Sequence, residues 1–128
     1  MQKNAPAIND ISFIIRHIIG YDNLNTLEGY ADVTSDMVDA MLEESSKISS
    51  EVLAPLNKIG DSHGCIFENG VVRTPPGFKE AYEQVNSGGW FSLNSDTNYG
   101  GQGLPLTLST AVQEIFDSSN MAFGLVPL

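Results

Sequence analysis

The chain has 128 residues, 41% of them hydrophobic, which predicts one globular domain rather than a disordered segment. It carries 16 acidic and 6 basic residues, a net charge of −10. With no cluster of Lys or Arg, this balance argues against partners such as nucleic acid or an anionic membrane. The phosphates of any phosphate-rich ligand would have to be bound by another part of the protein.

The cysteine content and the N-terminal stretch indicate the compartment. Cys65 is the single cysteine, so no internal disulfide can form. Asp10, Arg16 and His17 interrupt the Ile-rich N-terminal stretch, which therefore predicts neither a signal peptide nor a membrane span. We expect a cytoplasmic protein.

The first half of the chain has the spacing of helices. Apolar residues at positions 8, 11, 14, 15, 18 and 19 predict a helix that ends at Gly20, and 21–33 is predicted to be a connecting loop. A longer helix is predicted over 34–59, capped by Thr34 or Ser35. Pro55 is expected to kink or shorten its last turn, and Gly60 to end it.

The second half alternates helices with glycine-rich loops. A small hairpin or an irregular loop is predicted around 65–73, followed by a helix with Pro76 in its first turn after a Thr74 cap. After the loop 90–103, Pro105 is expected to start another helix, and Asn120 to cap a last segment over 121–128. The predicted fold class is an all-α bundle of four to five helices with long Gly-rich loops. We divide it into an N-terminal extension, 1–33, and a main helical domain, 34–128, which form one compact domain overall.

No motif in the chain supplies catalysis by itself. The glycines at 100, 101 and 103 lack the Lys-Ser/Thr pair of a phosphate loop and the spacing of a dinucleotide fingerprint. They are typical of a turn with positive φ, and would also let a ligand or neighbouring chain approach the backbone. His63 and Cys65 are too few for a metal site, so we predict none. Glu114 would become a candidate acid or base only if it were buried.

An ordered series of motifs is more informative than any one of them. The series comprises Ala54-Pro55-Leu56-Asn57, Gly60-Asp61, Gly64-Cys65, Val72 through Thr74-Pro75-Pro76-Gly77-Phe78-Lys79-Glu80-Ala81-Tyr82, Gly89-Trp90, and Tyr99-Gly100-Gly101-Gln102-Gly103-Leu104-Pro105. It resembles the N-terminal helical region of FAD-dependent acyl-CoA dehydrogenases, in the branch with an extra N-terminal segment that includes methylthiopropanoyl-CoA dehydrogenase-like proteins. The resemblance covers residues 8–128, nearly the whole chain.

The resemblance implies an enzyme of three parts, of which this chain matches the first. FAD would lie mainly between a middle β-domain and a C-terminal helical bundle, and the Glu base would belong to that bundle, so no catalytic residue is assigned here. We expect no cofactor on this chain alone. The implied role is one wall of the acyl pocket of an acyl-CoA substrate, from Tyr99, Gly100, Gly101, Gln102, Leu108, Val112, Asn120 and Phe123.

Two hypotheses remain open at this point. In the first, the chain is the N-terminal domain of an acyl-CoA dehydrogenase and is inactive alone, because the flavin-binding parts and the base are absent. In the alternative, it is a truncated paralogue that acts as a helical interaction module. Either way, the apolar residues of 104–128 predict a homo-oligomer or a partner bound through that face.

Overall fold

The computed structural model describes residues 6–126. Most of this part is helical, and its two strands form a single antiparallel pair, so the predicted all-α bundle with one small hairpin is confirmed. In chain order the elements are α1 (Ile8–Phe13), which continues as a π-helix (Ile14–Ile19), α2 (Tyr21–Leu24), α3 (Ser35–Ile48), a second π-helix (Ser49–Leu53), α4 (Ala54–His63), β1 (Ile66–Glu68), β2 (Val71–Arg73), α5 (Phe78–Ser87), a 3₁₀-helix (Thr97–Tyr99) and α6 (Leu106–Gly124).

The longest helical run starts where the sequence predicts and ends later. The Thr34 hydroxyl accepts a hydrogen bond from the Met37 amide at 3.2 Å, which confirms the cap. The predicted end at Gly60 is wrong, because α4 continues to His63 and stops at Gly64, where φ is 63°. Gly60 serves packing instead. A Cβ there would lie 2.8 Å from the ring of Phe78, so glycine lets α5 approach α4 closely.

Pro55 neither ends this run nor removes a turn from it. The residue lies in the first turn of α4, and the π-helix Ser49–Leu53 precedes it directly. A proline has no amide hydrogen to donate, and a local widening of the helix is one way in which a helical run accommodates that loss. The expected disturbance therefore takes the form of a π-helical turn on the N-terminal side of the proline.

The hairpin is present in the segment where it was one of two alternatives. Phe67 pairs with Val72 across the two strands, and Asn69 and Gly70 form the connection with φ values of 52° and 79°. Positive φ at both positions is the geometry of the tightest hairpin turns, for which Asn-Gly is the favoured sequence.

Two further differences from the prediction concern where the helices lie. The helix expected to begin at Pro76 begins at Phe78, because Gly77 adopts a left-handed conformation with φ of 86° just before it. The segment predicted as a loop over 21–33 contains the short helix α2, which follows a left-handed Gly20. Of the last predicted segment, residues 127–128 lie outside the described residues.

Helix α6 lies at the centre of the bundle. It packs against α3, the second π-helix and α4. Ile11, Ile15 and Tyr21, all from the predicted N-terminal extension, are buried in the same core cluster. The side chains that α6 contributes to that cluster are Leu108, Ala111, Val112, Ile115, Phe116 and Phe123.

Candidate functional site

The glycine-rich loop ahead of α6 is held by its own backbone. The Leu104 amide donates to the Leu93 carbonyl at 2.8 Å, and the Gln102 amide to the Ser92 carbonyl at 3.0 Å. Leu93 is almost fully buried beneath the loop. These bonds close the loop against the start of α6, so its outer surface has a defined shape rather than that of an open connection.

Two of the predicted pocket residues, Gly100 and Gly101, require glycine for different structural reasons. Gly100 adopts φ of 83°, a conformation that residues with a Cβ adopt only at a cost, and a Cβ there would meet open space. At Gly101 a Cβ would overlap the carbonyl oxygen of Ser95. The close backbone approach expected from this motif is therefore made, at Gly101, by the chain's own Ser95.

The other two loop residues of the predicted wall lie at the surface. Tyr99 has 90% of its side chain exposed, although it ends a structured 3₁₀ turn. Gln102 donates from Nε2 to the Gly89 carbonyl at 2.9 Å, which ties the two ends of the loop together. A tyrosine held out from an ordered loop is the kind of side chain that commonly contacts a ligand or a second protein surface.

The helical members of the predicted wall lie inside the core. Leu108, Val112, Asn120 and Phe123 are all buried, whereas Tyr99, Gly100 and Gln102 of the loop are exposed and Gly101 is half-buried. Within this chain the eight residues therefore form two sets, one exposed on the loop and one buried along α6. Phe123 also lines a surface groove, which brings one buried member to an accessible edge.

Asn120 is a capping residue within α6. Its φ of −154° and ψ of 86° break the helix, and its Oδ1 accepts a hydrogen bond from the Phe123 amide at 3.1 Å. This is the geometry of an N-cap, so the predicted capping role is confirmed. Asn120 also reaches across the bundle, because its Nδ2 donates to the Leu53 carbonyl, the last residue of the second π-helix, at 3.2 Å.

A buried polar cluster accompanies this cap, and sequence reasoning missed it. The Ser49 hydroxyl donates to the Ile115 carbonyl at 2.9 Å and is also hydrogen-bonded to the hydroxyl of Ser119. Both serines are buried, as is Ser45 one turn earlier. Buried polar groups need partners, and these bonds lock the register of the π-helix against α6. The sequence feature that could have indicated this cluster is the presence of Ser45 and Ser49 on an otherwise apolar helix face.

Three open grooves lie on the surface of the described residues. One of 580 Å³ lies between the hairpin and α5 and includes Arg73, Lys79 and Phe123. A second, of 650 Å³, runs along the outer side of α6 and includes Glu114 and Asp117. The third, of 380 Å³, lies between the segment 8–19 and α6.

The remaining chemical candidates do not form a site. His63 is exposed and its Nδ1 lies 3.0 Å from the Ile59 carbonyl, a contact that stays within its own helix. Cys65 is exposed. Glu114 faces solvent, so burial does not make it an acid or base. Within residues 6–126, no three His, Cys, Asp or Glu side chains are grouped as metal ligands would be.

The outer side of the segment 104–126, the part of 104–128 that the structure describes, is less apolar than its composition suggests. Gln113, Glu114 and Asp117 lie on this side of α6, because the apolar residues of the helix are used in the chain's own core. The exposed large apolar residues of the described part of this segment are Leu106, Met121, Leu125 and Val126. Association through this face stays a prediction. No helix within residues 6–126 combines the length and apolar character needed to span a bilayer.

The chain matches two curated proteins. It is 41% identical over all of its 128 residues to a 3-methylmercaptopropionyl-CoA dehydrogenase of Ruegeria pomeroyi, and it spans 22% of that protein. It is 32% identical over 112 residues, 84% of the chain, to a butyryl-CoA dehydrogenase of Syntrophomonas wolfei, of which the match covers 18%. The chain thus spans about a fifth of the length of these relatives. No family model matches it. The two matches agree with the ordered motifs and the helical fold, and the chain belongs to the acyl-CoA dehydrogenase family.

Proposed function

We propose that this chain is the N-terminal helical domain of an FAD-dependent enzyme that oxidises acyl-CoA thioesters between the α and β carbons. The observation that carries the proposal is the identity of 41% over the full chain to a 3-methylmercaptopropionyl-CoA dehydrogenase. The second relative is named for butyryl-CoA. Because the two names differ in acyl group, the proposed substrate class is an acyl-CoA thioester without a specified chain.

In this proposal the loop 99–103 and α6 form one wall of the acyl pocket. Tyr99 and Gln102 supply the accessible surface, and buried Leu108 and Val112 hold α6 in place behind it. The wall would select the acyl tail by shape and exclude water from the reacting carbons. None of these side chains removes the proton or accepts the hydride, and the base is proposed to lie in the part of the protein that the relatives have in addition.

The residues of this wall do not fit FAD. A flavin dinucleotide carries two phosphates, which proteins meet with cationic side chains or converging backbone amides. Residues 80–128 contain no Lys, Arg or His, and the groove along α6 includes Glu114 and Asp117. We therefore assign no flavin contact to this wall and expect the flavin, and the phosphates of coenzyme A, to be bound elsewhere in the longer protein.

A domain exchange tests the proposal. The segment of the Ruegeria pomeroyi enzyme that matches this chain is replaced by this chain, and flavin absorbance and dye-coupled oxidation of acyl-CoA are measured. We expect a flavin-containing, active chimera, whereas the chain alone should show neither property. A folded chimera that holds flavin but is inactive would contradict the role of the domain. Flavin-coupled oxidation by the isolated chain would contradict its predicted inactivity.

The wall itself is tested within the chimera by Tyr99→Ala. Because Tyr99 is 90% exposed in this chain, its removal should leave folding unchanged. Loss of part of an apolar contact to the acyl tail should lower kcat/KM by about 3- to 10-fold. Phe67→Ala on the hairpin, also strongly exposed, is the matched control and should leave the kinetics unchanged. Unaltered kinetics for Tyr99→Ala would refute the wall while leaving the domain assignment intact.

A further inference from the structure

The accessible side of α6 differs in chemistry from the side that packs in the bundle. Leu108 and Val112 are buried in the core, so neither can contact a ligand that lies outside this chain. The outer side of the same helix borders the groove of 650 Å³, which Thr110 and Gln113 help to line. When α6 forms part of an acyl pocket, the side chains that meet the acyl tail are therefore those of the groove.

The groove lies where the two elements of the proposed wall meet. Asn94, from the loop that precedes α6, lines it together with residues of the helix. The Ser109 hydroxyl donates to Asn94 Oδ1 at 3.2 Å, which joins the loop to the helix at this point. Apolar Leu106 and Met121 also line the groove. Its volume is within the range of small-molecule sites, about 300–1,000 Å³.

The groove carries two carboxylates and, among its lining residues within 6–126, no Lys, Arg or His. Glu114 is exposed, and neither of the two ion pairs in this part of the chain includes it. Asp117 is held in place, because its Oδ1 accepts a hydrogen bond from Gln113 Nε2 at 2.9 Å. The same Nε2 donates to the Gly124 carbonyl at 2.8 Å. The wall therefore presents fixed negative charge to whatever occupies the groove.

This charge distinguishes between acyl tails. A tail that ends in a carboxylate would meet two like charges with no counter-charge from this wall, whereas an uncharged tail of the same length would not. The repulsion is stronger in a closed pocket than on an open surface, because exclusion of water lowers the local dielectric constant. Juxtaposed like charges are a general means by which a site rejects a wrong partner.

We propose that Glu114 and Asp117 make this wall selective against acyl-CoA thioesters whose tail ends in a carboxylate. The substrate class then narrows to thioesters whose tail carries no negative charge. The inference rests on the proposed function, because it requires α6 to border the acyl pocket of the longer protein.

The test uses the flavin-containing chimera described above and two thioesters of equal length, glutaryl-CoA and its terminal amide. Their kcat/KM values are compared by dye-coupled oxidation, and their affinities by the change in flavin absorbance on binding. The variants are Glu114→Gln, Asp117→Asn and the double variant, which remove charge and keep side-chain size. Glu44→Gln is the matched control, because Glu44 is exposed on α3 and its replacement removes the same charge outside the groove.

We expect the unaltered chimera to prefer the amide by at least about tenfold in kcat/KM and to bind it more tightly. The double variant should reduce this preference by at least about fivefold, chiefly by improving glutaryl-CoA, and Glu44→Gln should leave the preference unchanged. Equal use of both thioesters by the unaltered chimera would overturn the inference alone. The same holds if the preference survives in the double variant, or if Glu44→Gln reduces it equally. A folded chimera that holds flavin but oxidises neither these thioesters nor butyryl-CoA would overturn the proposed function, and this inference with it.

Discussion

Replacement of Asn120 by alanine should be among the most destabilising polar substitutions in this domain. Asn120 is 1% exposed, and its side chain makes two hydrogen bonds, to the Phe123 amide and to the Leu53 carbonyl. One of these bonds is local and caps the last part of α6. The other joins α6 to the second π-helix. A single truncation therefore removes a cap and an inter-helical contact together.

The magnitude follows from these two bonds. Loss of an asparagine N-cap costs about 1 kcal/mol. The amide of Phe123 is then left in a buried position without its partner, which costs about 1–2 kcal/mol more. Loss of the bond to the Leu53 carbonyl adds about 1 kcal/mol. We expect the free energy of unfolding to fall by about 3–4 kcal/mol, with a fall in Tm of roughly 10 °C.

Urea denaturation monitored by the fluorescence of Trp90, the single tryptophan, measures this change. Asn57→Ala is the control, because Asn57 is exposed on α4 and its replacement should change stability by no more than about 0.5 kcal/mol. Asn120→Asp tests the donor separately. It keeps an acceptor for Phe123 but places a carboxylate against the Leu53 carbonyl, so it should be at least as destabilising at neutral pH. A loss below about 0.5 kcal/mol for Asn120→Ala would refute the reasoning.

Three further substitutions test the core and the loop. Burial raises the pKa of Tyr21, whose hydroxyl is buried without a hydrogen-bond partner. The folded state therefore favours neutral tyrosine, and the stability that this provides is lost as the pH rises above the ordinary value of about 10. Tyr21→Phe should abolish this alkaline loss and leave stability at pH 7 equal or up to about 1 kcal/mol higher, and clear destabilisation at pH 7 would contradict the unpartnered hydroxyl. Gly101→Ala should cost about 2–3 kcal/mol, because its Cβ overlaps Ser95, against about 1 kcal/mol for Gly100→Ala, where the strain is conformational alone. Thermal denaturation measures the stability loss of each glycine variant. Equal losses would contradict this reasoning, because they would show that the loop accommodates a Cβ at position 101 without steric strain.

Features that depend on neighbours in sequence were predictable. The Asn69-Gly70 turn and the Thr34 cap follow from backbone preferences that act over three or four residues. The same holds for Asn120, whose cap is made by the amide three residues later. Helical periodicity likewise predicted the helical segment 8–19, although three of its apolar residues, Ile14, Ile18 and Ile19, are exposed. The ordered motifs indicated the family, because several short motifs in a fixed order along the chain are more specific than any single motif.

The remaining features depend on contacts between distant parts of the chain. From the sequence alone, Gly60 is typical of a helix end. In the structure it lies within α4, where the ring of Phe78 leaves no room for a Cβ. The sequence does not distinguish Ser49 from an ordinary surface serine. Its role depends on hydrogen bonds to Ile115 and Ser119, which are distant in sequence. The predicted wall divides into an exposed loop and a buried helix because α6 packs at the centre of the bundle, which periodicity alone does not reveal. Local sequence thus determined the longer helices, the hairpin turn and the caps at Thr34 and Asn120. Tertiary packing decided which apolar side chains are buried in the core and which remain exposed.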